Sequence, residues 1–327
     1  MKGDIPPPSK EGKIPFEIPS VDQPCFTNYK AYGDLQCGRP VVVGLHGGPG
    51  GGLKSSNSMA CAWSQFGFPV VLYDQIGCGE SSLLLEKAGD EGFWQMPLFM
   101  DELANLLERL KLCDGAGFIL MGASFGGMLA ADYATTRPRG LRKLVLCSPN
   151  ASRKLSQAGQ ELRWKELPPD AERAIREAND KREFDTDSYK KALVVFYKHA
   201  VLRSSDWPPG LENLLFSFYK NHVYQTASGP APTLLGIGGM RDWTVIPRLH
   251  LIDVPTLVWN GEYDASHDIS VSPFFELIPR VRWVTFADAG HGFMGIDCPA
   301  RDRATEILGR FLLQEDGTEV VTERTVA

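Results

Sequence analysis

The chain has 327 residues, 43% hydrophobic and 23% charged, with seven cysteines and a formal net charge of −6. That is ordinary globular composition with ample apolar material for a large core, and no internal repeat or low-complexity tract interrupts it. Net negative charge without a Lys/Arg cluster argues against nucleic-acid binding, and no apolar run approaches the roughly 18 residues of a membrane helix.

The N-terminal MKGDIPPPSKEGKIPFEIP segment lacks the apolar stretch of a secretory signal. The scattered cysteines, without a C-x-x-C pair, read as reduced thiols, so a cytoplasmic address is expected. Gly12 to Pro19 and Phe26 to Tyr32 read as early strands forming an antiparallel edge hairpin. Pro40 to Leu45 (PVVVGL) is a buried strand running into a Gly-rich loop, and Pro69 to Tyr73 is the next. Leu103, Leu106, Leu107 and Leu110 fall at helical spacing within Leu98 to Leu112. Phe118 to Met121 predicts a strand, Phe125 to Thr136 a helix, and Leu144 to Cys147 another strand. Between about Asn150 and His250 the strand rhythm stops. Charged helical stretches such as Asp170 to Arg182 alternate there with aromatic residues. Strands resume at Pro255 to Trp259 and Val281 to Phe286, and Ala300 to Leu313 predicts a closing helix.

This order predicts an α/β architecture, a mostly parallel central sheet flanked by helices with an inserted helical cap. The expected division is a first core part over 1–149, a cap over 150–250, a second core part over 251–314 and a polar tail over 315–327.

The chemistry centres on Gly122-Ala123-Ser124-Phe125-Gly126, a G-x-S-x-G between a predicted strand and a predicted helix. A serine on such a turn needs a base, and the base needs an orienting carboxylate. In a strand–turn–helix hydrolase they follow in the order Ser, acid, His. His46 precedes the serine, His199, His222 and His250 fall in the inserted region, and His267 is only three residues past the best acid. His291, just after the last predicted strand, is the candidate base. Asp264 is the favoured acid, at the carboxyl end of Pro255 to Trp259, with Glu262 and Asp268 as competitors. Two backbone donors must meet the oxyanion. Phe125 N–H is one, and Gly48 of His46-Gly47-Gly48-Pro49-Gly50 is favoured as the other. Candidate substrate contacts are Gly47 and Glu262 in the loops, and the aromatics Trp207, Phe216, Tyr224 and Trp243.

These residues resemble the proline iminopeptidase family of α/β-hydrolases, with its fungal amino-acid amidase relatives. The resemblance rests on His46-Gly47-Gly48-Pro49-Gly50, Asp74-Gln75-Ile76-Gly77-Cys78-Gly79-Glu80-Ser81, Gly122 to Gly127, Gly261-Glu262-Tyr263-Asp264 and Gly290-His291. It covers residues 38 to 149 and 241 to 313, and implies a cap over the active site with no metal and no organic cofactor. It also carries the triad onto Ser124, Asp264 and His291, and the oxyanion donors onto Gly48 and Phe125. Two positions depart from the pattern. Ile76 stands where the family usually has Arg. Ala265 stands where many relatives carry an acid that grips a substrate α-amine, and Ser228 to Pro232 supplies no acid either. A buried ammonium without a carboxylate is costly to bind. The expected function is therefore Ser-His-Asp hydrolysis of an amide or ester in a small, largely apolar substrate, in specialised metabolism. Alternatives are iminopeptidase action, acyl transfer, cyclisation or other non-hydrolytic chemistry on the same site, and a hydrolase-like ligand-binding protein.

Overall fold

Eight strands form one sheet in the order β1-β2-β4-β3-β5-β6-β7-β8. The computed structural model describes residues 7–203, 207, 220–229 and 236–314. Strands β1 (Lys10–Phe16) and β2 (Cys25–Tyr32) pair antiparallel as the edge hairpin, and β2 runs antiparallel to β4 (Val70–Tyr73). The remaining strands are parallel: β3 (Val41–Leu45), β5 (Phe118–Ala123), β6 (Leu141–Cys147), β7 (Thr256–Gly261) and β8 (Val281–Phe286). All five residues of β3 are buried, as expected of a β-branched run covered on both faces.

Helices α1 (Cys61–Phe66), α2 (Met96–Arg109), α3 (Phe125–Ala134), α8 (Asp268–Leu277) and α9 (Pro299–Leu313) belong to the sheet layers. Between β6 and β7 lie α4 (Arg153–Trp164), α5 (Pro169–Lys181), α6 (Asp187–Ala200) and the short α7 (His222–Ser228). Ile175, Tyr189, Leu193, Phe196 and Tyr197 of this insertion bury one another in an apolar cluster separate from those of the sheet.

The predicted elements recur with shifted ends. Strand β6 starts three residues earlier than its apolar run suggested, because Lys143 is buried within it. The Lys143 ammonium donates to the carbonyls of Phe311 and Leu312 at 2.8 and 3.1 Å, where α9 ends with unpaired acceptors. All seven cysteines are unpaired.

The strand order reverses between β3 and β5, which puts the loops leaving these neighbours at the sheet's switch point. Open α/β sheets bind ligands in the crevice at that position. The Gly-rich loop follows β3 and Ser124 follows β5, so both candidate motifs meet there.

Candidate active site

Ser124 stands between β5 and α3 with φ 53° and ψ −116°, a strained backbone for a residue with a side chain. The flanking glycines permit the turn. A Cβ on Gly122 would collide with the Gly126 carbonyl, and one on Gly126 would collide with the Leu45 carbonyl. The turn is tied to the next strand by Ser124 N–H, which donates to Cys147 O at 2.8 Å. A Cβ on Gly47 would stand 3.2 Å from Ser124 Cβ, so the Gly-rich loop lies against the serine.

Phe125 opens α3, and its N–H has no acceptor within the helix, as for any first-turn residue. The Gly48 N–H likewise has no acceptor among the described residues. Both N–H groups therefore lack an acceptor among the described residues.

Across β6 and β7, Asp264 is fully buried, and four donors converge on its carboxylate. His291 Nδ1 and Ser266 N–H reach Oδ1, each at 2.7 Å. Ser148 Oγ and Gly261 N–H reach Oδ2 at 2.6 and 3.1 Å. Because Nδ1–H is committed to the carboxylate, the neutral ring keeps Nε2 as its unprotonated nitrogen. Burial works against a charge on His291, but the Asp264 charge and hydrogen bond together outweigh it and raise the imidazole above its ordinary pKa. The Ser124 hydroxyl makes no hydrogen bond among the described residues. Catalytic hydrogen bonds are often long without substrate. Ser124 is linked to the Asp264–His291 pair through β6, whose Cys147 carbonyl accepts its N–H and whose next residue is Ser148.

His46 is buried outside this pair. Its Nε2 accepts Gln75 N–H at 3.0 Å, so Nδ1–H faces Gly47 O at 2.8 Å, and burial lowers its pKa. Gln75 Nε2 returns a bond to His46 O at 3.0 Å. Asp74 accepts from Asn28, Leu53 N–H and Glu80 N–H. The two family motifs thus lock each other in place and set the loop that carries Gly48. Ile76 is buried, with its N–H on Glu102.

The remaining candidates divide. Glu262 is exposed, and its carboxylate accepts Asp288 N–H at 2.9 Å, so it serves a surface turn. Trp243 donates its indole N–H to Asp132 of α3 at 2.8 Å, an anchoring bond between the insertion and the core. Trp207 donates to Leu202 O at 3.1 Å, with the Lys198 ammonium over its ring. Tyr224 lies on α7 beside Arg153, and burial raises its phenol to about 12. Phe216 and residues 315–327 lie outside the described residues. Asp268 accepts from Asn260, and Asp288 pairs with Arg203, so neither competes as the acid.

Three contributors carried no motif. Ser148 and Ser266 complete the carboxylate cage. Arg163 of α4 donates Nε to Asp264 O at 3.0 Å, donates Nη2 to Glu262 O, and pairs with Glu166 at 2.9 Å. Only the position of Ser148, one residue beyond a strand's carboxyl end, could have drawn attention to any of them. No group of three or more His, Cys, Asp or Glu side chains among the described residues could hold a metal ion. No helix among them is long and apolar enough to cross a membrane.

A family model described as "alpha/beta hydrolase fold" matches residues 40–295. A solved structure titled "Crystal structure of VinJ" is 37% identical with a TM-score of 0.83, covering 94% of this chain and 99% of that one. The crystal structure of a proline iminopeptidase from Mycobacterium smegmatis is 27% identical with a TM-score of 0.80, covering 93% and 97%. A proline iminopeptidase of Lactobacillus delbrueckii subsp. lactis is 31% identical over 81% of this chain and 90% of its own length. Sequence, strand order and structural likeness agree, and the chain belongs to the alpha/beta hydrolase fold family, with the proline iminopeptidases among its relatives.

Proposed function

We propose that this hydrolase is a serine enzyme that opens an amide or ester bond of a small, largely apolar substrate through an acyl-enzyme. Ser124 Oγ attacks the carbonyl carbon as His291 Nε2 takes its proton, and Asp264 holds the ring. The Gly48 and Phe125 N–H groups receive the resulting oxyanion. Collapse breaks the C–N or C–O bond, and His291 returns the proton to the departing nitrogen or oxygen. Water, deprotonated by His291, then releases the acid and regenerates Ser124. The observation that carries this reading is the four-donor cage on Asp264, which commits His291 Nδ1 and frees Nε2.

Aminopeptidase action is the second reading, favoured by the names of the relatives. Against it, Ala265 offers no carboxylate to a substrate amine. A panel of proline and alanine arylamides, their N-acetylated forms and short-chain aryl esters separates the two. Turnover that survives N-acetylation, and disappears in Ser124→Ala, supports the first reading. Arylamide cleavage abolished by N-acetylation supports the second. Full activity in Ser124→Ala would overturn both.

A further inference from the structure

The first residue of α4 is an arginine, Arg153. No carboxylate among the described residues pairs with Arg153, and its guanidinium makes no hydrogen bond there. Its Nε is sealed from solvent without a partner, whereas the two terminal nitrogens carry no partner and are not sealed. Burial pulls its pKa down, and the neighbouring Tyr224 offsets only part of that. The chain makes room for the group. Gly236 has φ +59°, and a Cβ there would stand 2.7 Å from Arg153 Nη2. Arg153 is half-buried, and sealing its Nε without a partner carries a desolvation cost that no contact among the described residues offsets.

Its segment runs next to the candidate site in the chain on one side, and its neighbour Tyr224 belongs to the helix that meets the Gly-rich loop on the other. Arg153 lies five residues beyond Ser148, which holds Asp264, and three beyond Asn150, whose amide donates to Ser266 Oγ at 3.1 Å. Ser266 Oγ is 3.5 Å from His291 Nδ1. On the other side, Arg153 lies within electrostatic reach of Tyr224, one helical turn after Asn221. The Asn221 amide lies against Gly50 of the Gly-rich loop, where a Cβ would collide with it, and it donates to Gly77 O at 3.4 Å.

We propose that the Arg153 fork, with Tyr224 beside it, binds a carboxylate on the substrate, distal to the bond that Ser124 opens. The proposal rests on the serine-hydrolase reading above and names the substrate class: an amide or ester whose acyl or leaving part ends in a carboxylate. A planar guanidinium with two open terminal nitrogens matches a carboxylate in a two-bond geometry that an ammonium cannot reproduce. The same charge repels a substrate ammonium, in keeping with the missing acid at Ala265.

The test uses p-nitrophenyl half-esters of succinate, glutarate, adipate and suberate against their methyl-capped counterparts. The wild-type enzyme is expected to prefer the free carboxylate at one chain length by about 10- to 100-fold in kcat/KM. Arg153→Met should abolish that preference and leave the methyl-capped esters within about twofold, with Arg153→Lys in between. Its Tm should hold or rise, because Met keeps the aliphatic packing and removes an unpaired charge. A parallel measurement does not need turnover. In Ser124→Ala, the half-amide of the preferred diacid should raise Tm, and in the Ser124→Ala/Arg153→Met double variant it should not. Loss of all hydrolysis with this binding difference intact would sink the serine-hydrolase reading alone. The carboxylate proposal is overturned if a wild type that hydrolyses these esters shows no preference at any length, if Arg153→Met keeps the preference, if that variant melts well below wild type, or if only inorganic phosphate gives an Arg153-dependent Tm shift.

Discussion

Asp264 accepts four hydrogen bonds and has no neighbour to which it could donate, so an amide in its place must turn an N–H toward one of four donors. Asp264→Asn should therefore disturb the tautomer of His291 as well as its charge, and lower kcat by about 10³–10⁴-fold. The pH profile gives an independent check. His291 is raised above its ordinary value, so the acid limb of kcat/KM in wild type should fall above pH ~6.5, with activity lost as the ring protonates. In Asp264→Asn that limb should move to lower pH. Stability runs the other way. The contribution of the charged pair is fully present below the unfolded histidine pKa and is lost as pH rises through the raised folded value. An acid limb that does not move in Asp264→Asn would mean that another group is titrating.

At the scale of elements, Glu102 ties α2 to two parts of the sheet. Its carboxyl meets Thr27 Oγ1 of β2 at 2.5 Å and accepts Ile76 N–H, beyond β4, at 2.9 Å. Burial raises its pKa to about 8, with the hydrogen bonds from Thr27 and Ile76 opposing the rise. The folded state thus holds a proton that the unfolded chain releases above pH ~4.5. Stability from this group is fully present below that pH and declines as pH rises toward 8. Glu102→Gln keeps the shape and the bonding capacity of the protonated acid, so its Tm should depend less on pH between about 4.5 and 8 than that of wild type. Parallel Tm curves for the two proteins would count against a neutral Glu102.

The turn around Ser124 makes a second prediction at this scale. Gly122→Ala should destabilise by about 3 kcal/mol, because its Cβ meets backbone that cannot move aside. Gly295→Ala, with nothing within 4 Å, should leave Tm unchanged. Equal Tm values for both variants would mean that β5 and α3 are less closely packed than described.

Much of this was legible in the sequence. The strand runs, the G-x-S-x-G and the Gly-rich loop follow from short-range pattern, and chain order alone brought Asp264 and His291 into consideration. The cage was not legible, because Ser148 and Ser266 are ordinary residues that gain meaning only when β6 and β7 lie side by side. Glu262 shows the same limit of chain order. It sits two residues from the acid in sequence, yet its side chain turns to the surface at Asp288. The early start of β6 was hidden by Lys143, whose partners on α9 lie 168 and 169 residues away.

For the whole molecule, the open question is how an insertion with its own apolar core stays registered on a site built by the sheet. Arg163 supplies the link. It belongs to α4, its side chain is 7% exposed, and it reaches the carbonyls of Asp264 and Glu262 on the loop that carries the candidate acid. Glu166 holds the guanidinium from behind and also meets His199 of α6 at 2.7 Å, so two helices of the insertion bear on one loop of the core. Arg163→Met should cost about 3 kcal/mol of stability, since it strands two carbonyls and a carboxylate. It should also lower kcat by about tenfold, because a shift of the 261–266 loop moves Asp264 relative to Ser124. Arg163→Lys keeps the charge but cannot span both carbonyls, and should recover only part of each loss. Hydrogen exchange separates a link from a local prop. A link predicts faster exchange in α4 and in residues 261–266 together. Lost stability with unchanged kcat, or faster exchange confined to α4, would reduce Arg163 to a packing residue of the insertion and leave its registration on the core to the apolar contacts.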